Sequence, residues 1–240
     1  MFEKLPLPAK KALAWSVHLF TATGAVWGFL SLLAIFEQNW RAAITWMIIA
    51  MFVDGFDGML ARWFHVKEYA SRVDGALLDN IIDYLNYVVV AAFIMIKAPN
   101  LLPSGWEMVG AFSILLTSAY QFTQVDAKND EQSFFFKGFP SVWNFLVIYL
   151  MLLGLNPWIN LGLVLVCNIL VFVPVKYIYP SRNTRLRRLT LVLTYLYGAI
   201  GVWALLQYPS VPQWVLWISL GYVAYYALLS FFPKIGLKPA

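Results

Sequence analysis

Four aspartates stand at helical spacing in two neighbouring apolar stretches of this chain: Asp54 and Asp57 three residues apart, Asp79 and Asp83 four apart. Residues three or four apart share one face of a helix, so each pair points in one direction. A carboxylate in an apolar medium is costly, and four close together add mutual repulsion. A cation among them relieves both penalties. Hard carboxylate oxygens suit Mg²⁺, Mn²⁺ or Ca²⁺ better than zinc. Such a group can hold a pair of divalent ions and still leave coordination positions for phosphate oxygens. The chemistry on offer is metal-assisted work on a phosphate ester. Gly58 and Ala61 fall near the first pair and Gly75 continues the stripe of the second; small residues let a ligand or a backbone come close.

Depth along the two helices predicts how the acids meet. At ~1.5 Å per residue, Asp57 lies roughly 7.5 Å and Asp54 roughly 12 Å inward from Arg62. Counted from Asp74, Asp79 is roughly 7.5 Å and Asp83 roughly 13.5 Å deep by the same rise. Asp57 should therefore face Asp79, and Asp54 should face Asp83, in two layers. The alternative is structural: an intramembrane acid can pair with an arginine or a hydroxyl, and Arg62 and Arg72 are near.

The elements that must hold these acids are membrane helices. Of 240 residues, 61% are hydrophobic and only 12% charged, a composition outside that of soluble domains. Apolar runs near 20 residues recur along the whole length, which predicts an all-α integral membrane protein. Eight spans are read at about 13–36, 40–64, 74–96, 106–125, 142–155, 157–177, 186–206 and 214–232, with Trp and Tyr near many ends as interfacial anchors. Of the 17 basic residues, only Arg41 and Lys97 fall on one side; the rest fall on the other, which predicts cytoplasmic termini and a site toward the cytoplasmic face. The net charge of +5 then follows from topology and anionic lipid, and is no argument for nucleic acid. The first apolar run is too long for a signal-peptide core and is read as a mature span. Cys167 is the one cysteine, so no intrachain disulfide forms. Residues 1–240 read as one membrane domain, with a catalytic core at about 12–180 and two additional helices at about 186–232.

The acids and their flanks form a pattern, Asp54-x-x-Asp57-Gly58-x-x-Ala61-Arg62, twelve residues, then Gly75-x-x-x-Asp79-x-x-x-Asp83, and this resembles the signature of the CDP-alcohol phosphotransferases. Within that family the chain is most similar to the bacterial phosphatidylcholine synthases, through its eight-span layout, the stretch Val17-His18-Leu19-Phe20-Thr21-Ala22-Thr23-Gly24, and the segments Asp126–Asp130 and Phe136–Asn144. The resemblance implies transfer of a phosphatidyl group from CDP-diacylglycerol to choline, with release of CMP and formation of phosphatidylcholine, in a bacterial inner membrane. It implies Mn²⁺ or Mg²⁺, two ions by preference, on Asp54, Asp57, Asp79 and Asp83, with Asp83 as general base. It implies CDP-diacylglycerol contacts at Gly58, Ala61, Arg62 and Gly75, and a homodimer.

A quaternary ammonium is held by aromatic faces, which makes Tyr84, Tyr87, Tyr120 and Trp143 the choline candidates. Asp126, Asp130 and Glu131 could help attract the cation. The competing readings are the same chemistry with serine, glycerol 3-phosphate or inositol phosphate as acceptor, and a membrane cation transporter that uses the acids as its ion site.

Overall fold

The computed structural model describes residues 2–124, 135–173, 176–178 and 186–231. After a short 3₁₀ turn at Phe2–Lys4, α1 (Leu7–Phe36) and α2 (Trp40–Trp63) form a hairpin. A single helical turn, α3 (Val66–Tyr69), leads to α4 (Gly75–Lys97) and α5 (Glu107–Thr123). Strand β1 (Phe135–Lys137), α6 (Trp143–Leu153), α7 (Pro157–Phe172) and strand β2 (Lys176–Ile178) follow. The last two helices are α8 (Arg187–Gln207) and α9 (Gln213–Phe231).

Each of the eight expected segments overlaps a helix, though the sixth, expected to reach 177, ends as a helix at Phe172, and β2 takes its last expected residues. Four of these helices, α1, α2, α4 and α8, are long and apolar enough to cross a membrane, while α6 and α7 are shorter apolar helices. The fold departs from all-α at one place among the described residues: β1 and β2 pair antiparallel, with Phe136 opposite Tyr177. Gly138 makes that pairing possible. Its φ is +81°, and a Cβ there would stand 2.2 Å from the Val171 carbonyl oxygen at the end of α7, so only glycine fits.

Local sequence explains where the helices start and stop. Asn39 caps α2 by accepting from the Ala42 amide at 3.2 Å, and Asp74 caps α4 by accepting from the amides of Ala76 and Leu77 at 3.0 Å each, which satisfies donors that a helix start leaves open. Asn156 does the same for α7, which begins at Pro157, and α6 ends on Gly154 with φ of 57°.

Helix-end contacts show the chain running up and down. At one end Lys97 sits 5.2 Å over the Phe36 ring, Trp106 meets Trp158 at 6.0 Å, and Arg41 Nη2 donates to the Leu206 carbonyl at 2.6 Å. At the other, His18 meets Ala70 and Tyr120 meets Phe172.

The core lies among α1, α2, α4, α5, α6 and α7, around Met47, Ile94, Ile114 and the fully enclosed Trp143. The pair α8–α9 is peripheral: 11% of the apolar window of α8 is buried, against 33% in each of α1, α2 and α4. Its exposed Leu206, Trp214 and Trp217 are the surface that a lipid phase would cover. Hydroxyls tie the pair to the core and to itself: Tyr149 of α6 donates to Ser219 of α9 at 2.7 Å, and Thr194 of α8 lies within 2.8 Å of the Tyr222 hydroxyl of α9.

Two glycines of α1 set how close α4 comes. A Cβ at Gly24 would stand 2.4 Å from Ile82 Cγ2, and one at Gly28 would stand 2.7 Å from Asn86 Oδ1. Asn86 seals the crossing by donating from Nδ2 to the carbonyls of Gly24 (3.1 Å) and Ile82 (3.0 Å). Asn86 belongs to a π-helical segment, Tyr84–Val89, in the middle of α4.

Candidate functional site

Asp54 and Asp57 sit toward the C-terminal end of α2, and Asp79 and Asp83 in the first part of α4. The structure gathers three of the four. One carboxylate oxygen from each of Asp54, Asp57 and Asp79 lies within 4.8 Å of the other two. Asp83 is outside that group. It stands one four-residue step beyond Asp79, ~6 Å further along the helix and ~40° around it. Asp57 meets Asp79 as depth along the helices predicts, Asp54 joins them, and Asp83 lies one helical turn further along α4.

The cluster suits a divalent cation. Ions of this class bind oxygens at ~2.0–2.6 Å, so oxygens within 4.8 Å of one another can share one ion. Asp57 is buried, 8% exposed, and Asp54 and Asp79 are half-buried. Among the described residues no lysine or arginine is within ion-pair reach of Asp54 or Asp57. Their partners are neutral hydroxyls: Thr21 Oγ1 of α1 donates to Asp57 Oδ2 at 3.0 Å, and the Tyr87 hydroxyl of α4 donates to Asp54 Oδ2 at 2.7 Å. A hydroxyl orients a carboxylate without neutralising it, so Asp54 and Asp57 keep their need for positive charge. Neither Arg62 nor Arg72 pairs with these two acids, and the hydroxyls of Thr21 and Tyr87 take the place that the structural alternative allows to an arginine or a hydroxyl.

Arg62 has another place. A Cβ at Gly58 would stand 3.6 Å from an Arg62 guanidinium nitrogen, so the Arg62 side chain lies back along α2, over the glycine and toward the acids. Gly75, the first residue of α4, faces His18: a Cβ there would stand 3.2 Å from His18 Cε1. The buried His18 lies with Nε2 3.3 Å from the Ala70 carbonyl oxygen, which fixes the turn between α3 and α4 against α1. Ala61 packs beside Ala14, Val17, Val66 and Ala70 in a small apolar cluster under the same turn.

The aromatic candidates separate. Tyr87 is beside the acids, and its phenol feels the charges of Asp54, Asp83 and Asp79. Tyr84 turns the other way, donating to the Leu115 carbonyl of α5 at 2.9 Å and meeting Phe122 edge-on at 5.9 Å. Trp143 is fully buried and donates from Nε1 to Ser118 Oγ at 2.7 Å. Tyr120 is 50% exposed, against Phe172. The acidic residues Asp126, Asp130 and Glu131 lie outside the described residues.

Sequence reasoning passed over Thr21 as a partner of the acids. The signal was available: a hydroxyl three residues from His18 on an apolar helix, at the depth of Asp57. Tyr87 continues the four-residue stripe of Gly75, Asp79 and Asp83, which points to the acids as directly as to a headgroup.

Known proteins are similar to this chain in sequence. The family model described as CDP-alcohol phosphatidyltransferase matches residues 17–175, which include every residue of the cluster. A phosphatidylcholine synthase of Legionella pneumophila is 42% identical, over 91% of this chain and 88% of its own. One from Mesorhizobium japonicum is 38% identical, over 99% and 96%, and one from Agrobacterium fabrum is 34% identical, over 99% of each.

Proposed function

The chain belongs to the CDP-alcohol phosphatidyltransferase family, and we propose that it is the member that transfers the phosphatidyl group of CDP-diacylglycerol to choline. The observation that carries this reading is the three-carboxylate group, within 4.8 Å and without a basic partner at Asp54 or Asp57, in a chain similar to phosphatidylcholine synthases along nearly all its length. CDP-diacylglycerol brings a pyrophosphate, and choline brings a hydroxyl.

Asp54, Asp57 and Asp79 would hold Mn²⁺ or Mg²⁺, with Asp83 contributing to a second ion. When bound, such ions neutralise the pyrophosphate and the leaving phosphate. Arg62, lying over Gly58, grips phosphate oxygens of the donor. Gly58 and Ala61 line the cytidine slot, and Gly75, packed against His18, shapes the CDP-diacylglycerol site from the start of α4. Asp83 takes the proton of the choline hydroxyl. The freed oxygen attacks the phosphorus that carries diacylglycerol, a new P–O bond forms, and the bond to the bridging oxygen breaks. That oxygen leaves with CMP. Tyr87, the aromatic beside the acids, lines the wall shared with the ammonium, and Tyr84, Tyr120 and Trp143 support the surrounding helices.

The same reading extends to the whole molecule. Eight helices cross a bacterial inner membrane as one domain, with both termini and the site on the cytoplasmic side, in a homodimer. The acids lie toward one end of α2 and α4, unlike the midplane site of a transporter.

The test is CMP release by purified protein in detergent with CDP-diacylglycerol and Mn²⁺, offered choline, serine, glycerol 3-phosphate, inositol phosphate or no acceptor. The expected result is choline-dependent release, abolished by chelator and by Asp83→Asn. Release with a different acceptor would sink the headgroup assignment and keep the chemistry. Unchanged release from Asp83→Asn would remove it as the base.

A further inference from the structure

The π-helical segment Tyr84–Val89 interrupts α4 directly after Asp83. Segments of this kind are rare, and they concentrate at functional sites because they re-aim side chains. Gly75, Asp79, Asp83 and Tyr87 follow one another at four-residue steps. In an α-helix each such step overshoots a full turn by ~40°, so the stripe drifts steadily off its line. A π turn, closed by i→i+5 bonds, takes more residues. The step from Asp83 to Tyr87 therefore falls short where the earlier ones overshot, and the phenol swings back toward α2. There it donates to Asp54 Oδ2 at 2.7 Å. The other phenol of the segment, Tyr84, goes to a backbone carbonyl of α5, so contact with an acid is no general habit of these tyrosines.

We propose that Tyr87 is a positioning residue of the metal site: its hydroxyl fixes the Asp54 carboxylate in the orientation that binds the cation, and the π turn of α4 brings it into reach. The proposal rests on the reading of Asp54 as a metal ligand. Outer partners of this kind hold a ligand in its binding orientation before the ion arrives, and their loss commonly weakens metal affinity 10–100-fold. Thr21 does for Asp57 from α1 what Tyr87 does for Asp54 from α4, so both acids of α2 are held from neighbouring helices.

The test is Mn²⁺ binding to the purified full chain without substrates, read from the free-ion electron paramagnetic resonance signal, together with thermal melting with and without Mn²⁺. Tyr87→Phe removes the hydroxyl and keeps the ring. Its Mn²⁺ Kd is expected to rise about 10-fold, with the metal-free Tm within about two degrees of the parent and a smaller Mn²⁺-induced rise. Leu85→Ala, on the same turn and against Gly28 of α1, controls for lost packing; it should lower Tm and leave the Kd alone. In an Asp54→Asn background Tyr87→Phe should change little more. An unchanged Kd in Tyr87→Phe, or an equal loss in Leu85→Ala, overturns the proposal. If the parent protein binds no Mn²⁺ saturably, the metal reading falls and this inference falls with it, whereas parent binding with an unaffected Tyr87→Phe removes the inference alone.

Discussion

Thr21 and Asp57 are joined across α1 and α2 by a 3.0 Å hydrogen bond from the threonine hydroxyl to a carboxylate that is 8% exposed. Through it a helix with no acid of its own takes part in the acidic cluster. Val replaces Thr at nearly the same shape but without the hydroxyl, so Thr21→Val should weaken Mn²⁺ activation of CMP release about 10-fold, and Thr21→Ser should stay close to the parent. Equal loss in both variants would mean that the methyl group, not the hydroxyl, matters.

Asp57→Asn should separate stability from metal binding. The three acids repel one another while no ion is present. Removing one charge should raise the metal-free Tm, by about 1 kcal/mol of stability, and abolish the additional stabilisation that Mn²⁺ gives. Melting curves in chelator and in Mn²⁺ read both effects. A variant less stable than the parent in chelator would contradict the repulsion.

Gly58→Ala offers the cleanest probe of the donor slot. The nearest atom to the added methyl is the Arg62 guanidinium nitrogen at 3.6 Å, an ordinary contact. Alanine is favoured over glycine inside a helix by roughly 0.5–1 kcal/mol, so the variant should melt no lower than the parent. Its KM for CDP-diacylglycerol should nonetheless rise, by about 10-fold or more, because the methyl takes space meant for substrate. Parent-like kinetics would show that the slot lies elsewhere.

Gly24→Ala acts on the site from a distance. Its methyl would meet Ile82 Cγ2 at 2.4 Å and push α4 outward, at a cost of about 1–3 kcal/mol. The shift moves Asp79 away from α2, so activity should fall with stability. Shortening the obstacle in Gly24→Ala/Ile82→Ala should recover part of both. No recovery in melting temperature would mean that the strain sits at another contact.

The sequence makes the reactive part of this molecule legible because its signals are local. Polar residues stand out in apolar helices, and fixed spacing assigns them to a face. That is why Asp54, Asp57 and Asp79 could be brought together in advance, and why the eight segments match helices within a few residues. Asp83 shows the limit. Spacing puts it on the stripe, yet one more helical step carries it out of the cluster. The π segment leaves no comparable trace: Tyr-Leu-Asn-Tyr-Val-Val reads as ordinary apolar helix, and the turn is visible only in how it packs. Trp143 and Tyr84 look like headgroup candidates in a sequence rich in aromatics, but Ser118 and the Leu115 carbonyl claim their polar atoms. Those partners lie tens of residues away and leave no mark on the local pattern.

The two halves of α4 answer to different neighbours. Before the π turn, Gly75–Asp83 buries only Ile82; after it, Val90–Lys97 buries Val90, Ala91, Ala92, Ile94 and Met95. A change of side chain in the first half falls on a lightly buried segment that carries Asp79 and Asp83. In the second half it meets close-packed hydrocarbon, where even one methylene is felt. One continuous rod thus divides into a half that presents the acids and a half that carries the packing. Errors in the first should yield intact but sluggish protein, and errors in the second should yield too little protein to assay.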